Sequence, residues 1–144
     1  IGTLRARPVG VALDGPIPRG DRDGESPLGH LFADAMRASV PGADAALGYS
    51  AGPGGLRAGL AAGPVTVGAV YDLFPFDNRV VRVDVTGADL RRLLTDQVQR
   101  PRFRSRSLGV SGLVVTMTCG AGGMQADVRR ASGAPIADAE RLVI

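Results

Sequence analysis

The segment Gly52–Asn78, GPGGLRAGLAAGPVTVGAVYDLFPFDN, contains the most informative features of the sequence. It opens with a glycine-rich turn and closes on an aromatic corner. The glycines of this turn lack a Cβ, so the backbone can bend tightly there and hold Arg57 in one place. Pro75 fixes its own φ and extends the residue before it, which sets two phenylalanine rings on a corner. A fixed guanidinium and a fixed ring suit a phosphate and a flat base. An ordinary surface turn beside a core phenylalanine is the alternative.

Upstream of this segment, the sequence predicts a helix that begins after Ser26 and ends at Pro41-Gly42. Serine is a good N-cap, and Pro27 suits the first helical position. The helical spacing predicts one apolar face, formed by Leu28, Leu31, Phe32, Ala35 and Met36. Gly29 is a poor helix former, so its presence indicates that another backbone packs closely over the first turn.

Downstream, Arg79–Val85 is the clearest predicted strand, because its valines alternate with charged residues. Thr86 then forms a capping-box-like pair with Asp89, which predicts the start of a second helix. The apolar face of that helix is predicted to contain Leu90, Leu93, Leu94 and Val98.

The other predicted elements are short runs bounded by glycine or proline. They are strands at 1–15, 43–49, 65–67, 107–118 (bent at Gly112), 124–130 and 141–144, and a helical turn or two at 68–73. The order predicts an α+β (mixed α/β) fold with a mixed sheet and two main helices. A length of 144 residues predicts a single domain over 1–144. The chain lacks an initiator methionine and stops inside a predicted strand, so we expect a piece cut at both ends.

Composition excludes several classes of protein. All 17 basic residues are arginines, and 14 acids are interleaved with them, which indicates a coding bias rather than nucleic-acid binding. The exception is Arg100–Arg106, for which a solvated loop is favoured over a phosphate-binding patch. A single cysteine, Cys119, excludes an intrachain disulfide, and with the lone His30 it cannot build a metal site. No apolar run is long enough to span a membrane.

Six motifs, in this order, resemble the C-terminal domain of the 5'-nucleotidase family. They are Glu25–Arg37 (ESPLGHLFADAMR), Gly54–Arg57 (GGLR), Gly63–Thr66 (GPVT), Leu73–Asn78 (LFPFDN), Thr86–Leu90 (TGADL) and Val110–Leu113 (VSGL). Each motif is weak alone, but the set covers the chain from about residue 20 to its end.

The resemblance implies two-domain enzymes. An N-terminal metallophosphatase domain, absent from these residues, would carry two divalent metal ions and perform hydrolysis. The C-terminal domain would grip the nucleotide, and the two domains would rotate relative to each other. Such enzymes are typically exported to a periplasm, a cell wall or the outer surface.

The same resemblance implies three substrate-binding residues. Arg22 and Arg57 are similar to family arginines that contact the phosphate or ribose end, and Phe76 is similar to one of two rings that sandwich the base. Guanidinium groups bind phosphate oxygens in bidentate fashion, and a base gains free energy by stacking on a ring.

Three departures from the family pattern matter. Gly52 stands where the family usually has an asparagine, so a hydrogen bond to the base or ribose is in doubt. His30 replaces another asparagine and is interpreted as a packing or surface residue. The second stacking aromatic would follow Ile144.

The leading hypothesis is therefore a nucleotide-recognition domain of a secreted 5'-nucleotidase-like phosphohydrolase. The piece carries no predicted catalytic or metal-binding residue, so it would be inactive alone. The alternative is a non-catalytic module on the same fold that forms a homodimer or binds another partner. Nucleic-acid binding through Arg100–Arg106 is a third, disfavoured hypothesis.

Overall fold

The computed structural model of the protein describes residues 2–20, 24–51, 55–99 and 108–144. Arg22, Gly52 and the run Arg100–Arg106 therefore lie outside the described residues. In chain order the elements are α1 (Gly2–Arg5), β1 (Pro8–Leu13), α2 (Pro27–Ser39), β2 (Ala46–Gly48), β3 (Gly63–Thr66), α3 (Val67–Leu73), β4 (Asp84–Thr86), α4 (Gly87–Gln99), β5 (Gly109–Ser111), β6 (Leu113–Gly120), β7 (Gly123–Arg130) and β8 (Arg141–Val143). Helices and strands alternate as predicted, which confirms the mixed α and β class.

The strands pair in twos, β1 with β3, β2 with β5, β4 with β8 and β6 with β7, and each pair is antiparallel. A parallel bridge between Ala51 and Leu56 adds a parallel contact. The predicted bend at Gly112 is confirmed, since this glycine has a φ of 78° and separates β5 from β6. The bend matters because it sends the two halves of one predicted strand to different partners.

Helix α2 begins at the predicted position, and a glycine in its first turn lets another backbone pack closely against it. The Ser26 side chain accepts a hydrogen bond from Gly29 N at 3.0 Å. A Cβ built on Gly109 would lie 2.1 Å from the carbonyl oxygen of Gly29, so the backbone of β5 lies directly against the first turn of α2. This confirms the close backbone approach predicted from Gly29. The neighbouring His30 is half-buried and donates from Nδ1 to the carbonyl of Val110 at 3.0 Å, which confirms a packing role.

The predicted capping box of α4 is confirmed in both directions. Asp89 N donates to Thr86 Oγ1 at 3.1 Å, and Thr86 N donates to Asp89 Oδ2 at 3.3 Å. The Thr86 hydroxyl also donates to the same carboxylate, and these bonds hold the pKa of Asp89 below its ordinary value. A charged carboxylate also suits the positive end of the helix dipole.

The buried apolar side chains form two clusters. The first, here called the α4 core, consists of Ala45, Leu90, Leu94, Leu113, Ala126, Val128, Ile136 and Leu142. The second, the α2 core, consists of Leu28, Leu56, Leu60, Val65 and Leu73.

An ionic network joins three segments beside the α4 core. Arg130 on β7 contacts Asp44 at 3.3 Å and also pairs with Glu140. Asp44 accepts a hydrogen bond from Val143 N at 2.9 Å, and Glu140 accepts one from Ala137 N at 3.0 Å. The network ties β7 and β8 to the chain that enters β2.

The predicted strand Arg79–Val85 is wrong over most of its length, because β4 contains only Asp84–Thr86. Val83 and Ile144 exchange reciprocal backbone bonds of 2.9 Å, and the described pairing reaches no further upstream. Val80, Val81 and Val83 are 48%, 69% and 48% exposed. Valine-rich sequence favours a strand, but a strand forms only where a partner accepts and donates its backbone bonds.

Two predicted helix faces are also partly wrong. On α2 the fully buried residues are Leu28, Gly29 and Ala33, whereas Leu31 and Ala35 are exposed. The close glycine contact with β5 turns the buried face toward the small residues. On α4, Leu90 and Leu94 are buried as predicted, but Leu93 is 47% exposed. Of the strand predicted at 1–15, only β1 is observed, and the helix α1 precedes it.

Candidate functional site

The turn that carries Arg57 is anchored on both sides by buried residues. Ser50 and Ala51 are buried after β2, and Leu56 is fully buried on the return. Leu56 N donates to the Ser50 carbonyl at 3.0 Å. The described residues on either side, Ala51 and Leu56, are thus both held in buried positions, which fixes the position at which Arg57 emerges.

The aromatic corner is held to the same turn. Helix α3 ends at Leu73, and Phe74 N donates to the Val70 carbonyl at 3.1 Å. The Leu73 carbonyl accepts a hydrogen bond of 2.9 Å from Arg57 N. The end of α3 and the turn are thus joined through the backbone, immediately before the Pro75 corner that carries Phe76.

Arg57 and Phe76, predicted separately from the sequence, lie in contact. The Arg57 Cζ lies 5.1 Å from the centroid of the Phe76 ring, which is cation–π geometry. Arg57 is exposed and Phe76 is half-buried, so both present surface to solvent. Arg22, the third predicted site residue, lies outside the described residues.

The site contains aromatic residues that sequence reasoning did not assign to it. Phe74 lies 4.8 Å from Phe32, 5.4 Å from Tyr49 and 5.0 Å from Phe76, measured between ring centroids. Tyr49 is 39% exposed, and Asn78 Nδ2 donates to its hydroxyl at 3.4 Å. Aromatic residues make up only 4% of the sequence, so the clustering of four of them at one place favours a binding role for this surface. The scarcity of aromatic residues in the sequence was the signal that could have pointed to this cluster.

The charge at this site is not neutralised within the described residues. Five arginines elsewhere form ion pairs with carboxylates, namely Arg5, Arg91, Arg92, Arg129 and Arg130. Among the described residues, the Arg57 guanidinium makes a cation–π contact with the Phe76 ring but no hydrogen bond or ion pair. An exposed guanidinium without a carboxylate has its donors available for an anion.

The loop that leads toward Arg22 lies against the Arg57 turn. Ile17 and Leu60 exchange backbone hydrogen bonds of 2.9 Å in both directions. A Cβ built on Gly59 would lie 2.7 Å from the Ile17 carbonyl oxygen and 3.2 Å from Arg19 N, so the two backbones are in close contact. The Ser26 hydroxyl donates to the Arg19 carbonyl at 2.6 Å. The described ends of that loop are therefore held beside the site.

A concavity of about 570 Å³, lined by none of the residues of this site, lies between α4 and β6. Its wall is mostly apolar, with Leu94, Val98 and Met117 among its residues. Glu25 and His30 also line it, and the Nδ1 of His30 already donates to Val110. A carboxylate does not suit an anionic ligand, so the Arg57 site is the better candidate for a phosphate.

The described residues do not fit a two-metal centre. Across 2–20, 24–51, 55–99 and 108–144, no three His, Cys, Asp or Glu side chains lie close enough together to hold a metal ion. Cys119 is an exposed free thiol on β6. No step of metal-dependent hydrolysis can therefore be assigned to these residues.

Comparison with known proteins identifies the fold. The sequence profile described as "5'-nucleotidase, C-terminal domain" matches residues 2–141. The chain belongs to the 5'-nucleotidase C-terminal domain family. The crystal structure of a 5'-nucleotidase precursor from Thermus thermophilus superposes with a TM-score of 0.78 at 28% identity, over 99% of this chain and 29% of that one.

Two curated relatives of this 5'-nucleotidase C-terminal domain come from Bacillus subtilis (strain 168). Endonuclease YhcR is 38% identical over 94 residues, which is 65% of this chain and 7% of that protein. Trifunctional nucleotide phosphoesterase protein YfkN is 37% identical over 84 residues, or 58% of this chain and 6% of that protein. The domain thus spans less than a tenth of the length of either relative. No helix among its described residues is long and apolar enough to cross a membrane.

Proposed function

We propose that this domain recognises the nucleotide for a 5'-nucleotidase-like phosphohydrolase that cleaves nucleotide phosphate esters. The contact between Arg57 and Phe76 carries the proposal, because it brings a guanidinium with no described carboxylate partner and a half-exposed ring to one place. Arg57, together with Arg22, binds phosphate or ribose oxygens, and Phe76 stacks on the base. The guanidinium fork matches phosphate geometry, and stacking tolerates any base.

Hydrolysis itself belongs to a partner domain in this proposal. An N-terminal metallophosphatase domain of the same protein would carry two divalent metal ions, which would supply an activated water and neutralise charge on the phosphate. The names of two similar proteins, a nucleotide phosphoesterase and a 5'-nucleotidase precursor, support this assignment. The word precursor also supports export of the protein to a periplasm, cell wall or outer surface.

The test is nucleotide binding measured by calorimetry, with a chelator present so that hydrolysis does not interfere. AMP, adenosine and UDP-glucose are titrated into wild type and Phe76→Ala. We expect Phe76→Ala to weaken binding of the preferred nucleotide by about 1–3 kcal/mol through lost stacking. Tyr71→Ala is the matched control, because Tyr71 is an exposed aromatic on α3 that contacts Arg5 and not Phe76. Failure of the folded protein to bind any of the three ligands would overturn the proposal.

One observation favours the alternative of a dimerisation module. Val80, Val81 and Val83 are exposed in the segment before β4, and an exposed apolar surface of this kind can be covered by a second copy. In that case sedimentation equilibrium would show a dimer, Val81→Asp would dissociate it, and nucleotides would not bind. A monomer that binds AMP would exclude this alternative.

A further inference from the structure

Arg57 lies on the ring surface that a base would use. Phe76 is held on the protein side by Phe74, whose ring meets it at 75° with the centroids 5.0 Å apart. Phe74 in turn contacts Phe32 and Tyr49 and packs against the α2 core. The exposed Arg57 side chain lies over the ring of Phe76 from outside this cluster. The guanidinium therefore covers part of the surface of this half-buried ring.

A second arginine–ring pair in the same molecule shows what is unusual about Arg57. The Arg5 Cζ lies 5.7 Å from the centroid of the Tyr71 ring. However, Arg5 Nη2 also lies 2.6 and 2.5 Å from the two carboxylate oxygens of Asp72. That carboxylate fixes the guanidinium on its ring and raises the pKa of Arg5. Arg57 has no such partner among the described residues, so only the ring contact retains it.

The backbone of Arg57 is fixed although its side chain is not. Arg57 N donates to the Leu73 carbonyl at 2.9 Å, and the preceding Leu56 is fully buried. A change in the position of the guanidinium therefore needs only rotation about side-chain bonds. Such rotations in exposed residues are fast, so they do not limit ligand entry.

We propose that Arg57 is a cover for Phe76 that an anion removes, an inference that rests on the nucleotide-binding function proposed above. Without ligand, the guanidinium lies on the ring. The phosphate of a nucleotide draws it away and the base takes its place. A nucleoside has no phosphate, so it must displace the guanidinium without compensation. The site therefore selects nucleotides over nucleosides, and binding of the anion and binding of the base assist each other.

The cation–π contact is weak enough, and the guanidinium–phosphate hydrogen bonds are strong enough, for Arg57 to move from the ring to the phosphate. A cation–π contact at an exposed site corresponds to only about a two- to fivefold effect on affinity. Hydrogen bonds from a guanidinium to a phosphate are charge-assisted, and losing them lowers affinity by about tenfold or more. Transfer of Arg57 from ring to phosphate is therefore favourable.

The decisive experiment compares adenosine and AMP on wild type and Arg57→Ala by calorimetry, in the presence of a chelator. We expect Arg57→Ala to bind adenosine about two- to fivefold more tightly, because the ring is uncovered. The same variant should bind AMP about tenfold more weakly or worse, because a phosphate ligand is lost. Opposite signs for two ligands that share a base cannot arise from misfolding. Arg141→Ala, which removes an exposed arginine on β8, should change neither affinity.

Inorganic phosphate provides a second measurement on the same site. In wild type, phosphate at matched ionic strength should tighten adenosine binding by about two- to fivefold relative to chloride, and in Arg57→Ala it should not. By NMR, the Arg57 δ-methylene protons should be shifted upfield by the ring, and phosphate should reduce that shift.

The outcomes separate this inference from the function on which it rests. If AMP does not bind at all, the proposed function fails. If AMP binds and Phe76→Ala weakens it, but Arg57→Ala weakens adenosine as well, the function stands and the cover is refuted. An Arg57 methylene shift that phosphate leaves unchanged would also refute the cover.

Discussion

The α4 core and the α2 core of this molecule are built by different means. Large side chains of α4, β6, β7 and β8 fill the α4 core, and every arginine of α4 and β7 is paired with a carboxylate. Beside the α2 core, four aromatic rings pack against one another, and Arg57 has no carboxylate among the described residues. The difference shows where the candidate site stands out: aromatic rings cluster beside an arginine with no described carboxylate partner, whereas the arginines of α4 and β7 are all paired.

The largest effect is expected from the α4 core. Leu90 is 1% exposed, so Leu90→Ala should lower the free energy of unfolding by about 2–5 kcal/mol through lost burial and a cavity. Leu93→Ala is the control on the same helix, and it should change stability by less than about 0.5 kcal/mol because Leu93 is exposed. Denaturant unfolding measures both. Nucleotide affinity of folded Leu90→Ala should equal that of wild type, and a large loss would break the division between the two regions.

A smaller but more local effect is expected where β5 meets α2. Gly109→Ala places a Cβ 2.1 Å from the Gly29 carbonyl oxygen, so two backbones must separate. We expect a destabilisation of about 1–3 kcal/mol, as for overpacked cores.

Nucleotide affinity should fall with Gly109→Ala as well, because β5 pairs with β2, and β2 leads directly into Tyr49. Gly120→Ala is the matched control, since a Cβ there meets no atom within 4 Å. Equal stability of the two variants would contradict the backbone contact.

The smallest effect concerns the ionic network of Arg130 and depends on pH. Hydrogen bonding to Arg130, and then to Ala137 N, lowers the pKa of Glu140 below that of the unfolded chain. The pair therefore stabilises the fold fully above the unfolded pKa of about 4.3, and the stabilisation is lost as the pH falls through the folded value. Arg130→Met should lower the melting temperature at pH 7 and differ less from wild type at pH 3.

Arg129→Met is the comparison for that experiment. Arg129 pairs only with Asp127 on the exposed surface, so its loss should hardly change the melting temperature. If Arg130→Met were equally neutral at pH 7, the network would not contribute to the α4 core.

Local signals in the sequence were sufficient for much of the fold. The capping box of Thr86 and Asp89 lies within four residues, and the first turn of α2 is set by Ser26 and Pro27, so each helix start could be predicted without tertiary contacts. The extent of the strand predicted at Arg79–Val85 could not be judged from periodicity, because its pairing is with a distant segment: β8 pairs with Asp84–Thr86, and Ile144 pairs with Val83. The buried faces of α2 and α4 were partly mispredicted for the same reason, because contacts with distant segments determine which side of a helix is buried.

The candidate site was predictable in part. Arg57 and Phe76 could be named from their turns, but their contact requires the backbone bond between Arg57 and Leu73, which no periodicity indicates. Phe32 and Tyr49 were missed because a helix and a strand end bring them to Phe74 across the sequence. The roles given to Arg22, Arg57 and Phe76 stay predictions until binding is measured.

The hydrogen bond from Arg57 N to the Leu73 carbonyl has an energetic consequence for recognition. It joins Arg57 to the end of α3, and the buried Leu56 and Leu73 support the two joined segments. A ligand that binds there does not have to order two separate loops, so folding of the domain has already met most of the entropic cost of assembling the site. Affinity lost by breaking this support should therefore appear as a less favourable entropy of binding, while the contacts to the ligand stay the same.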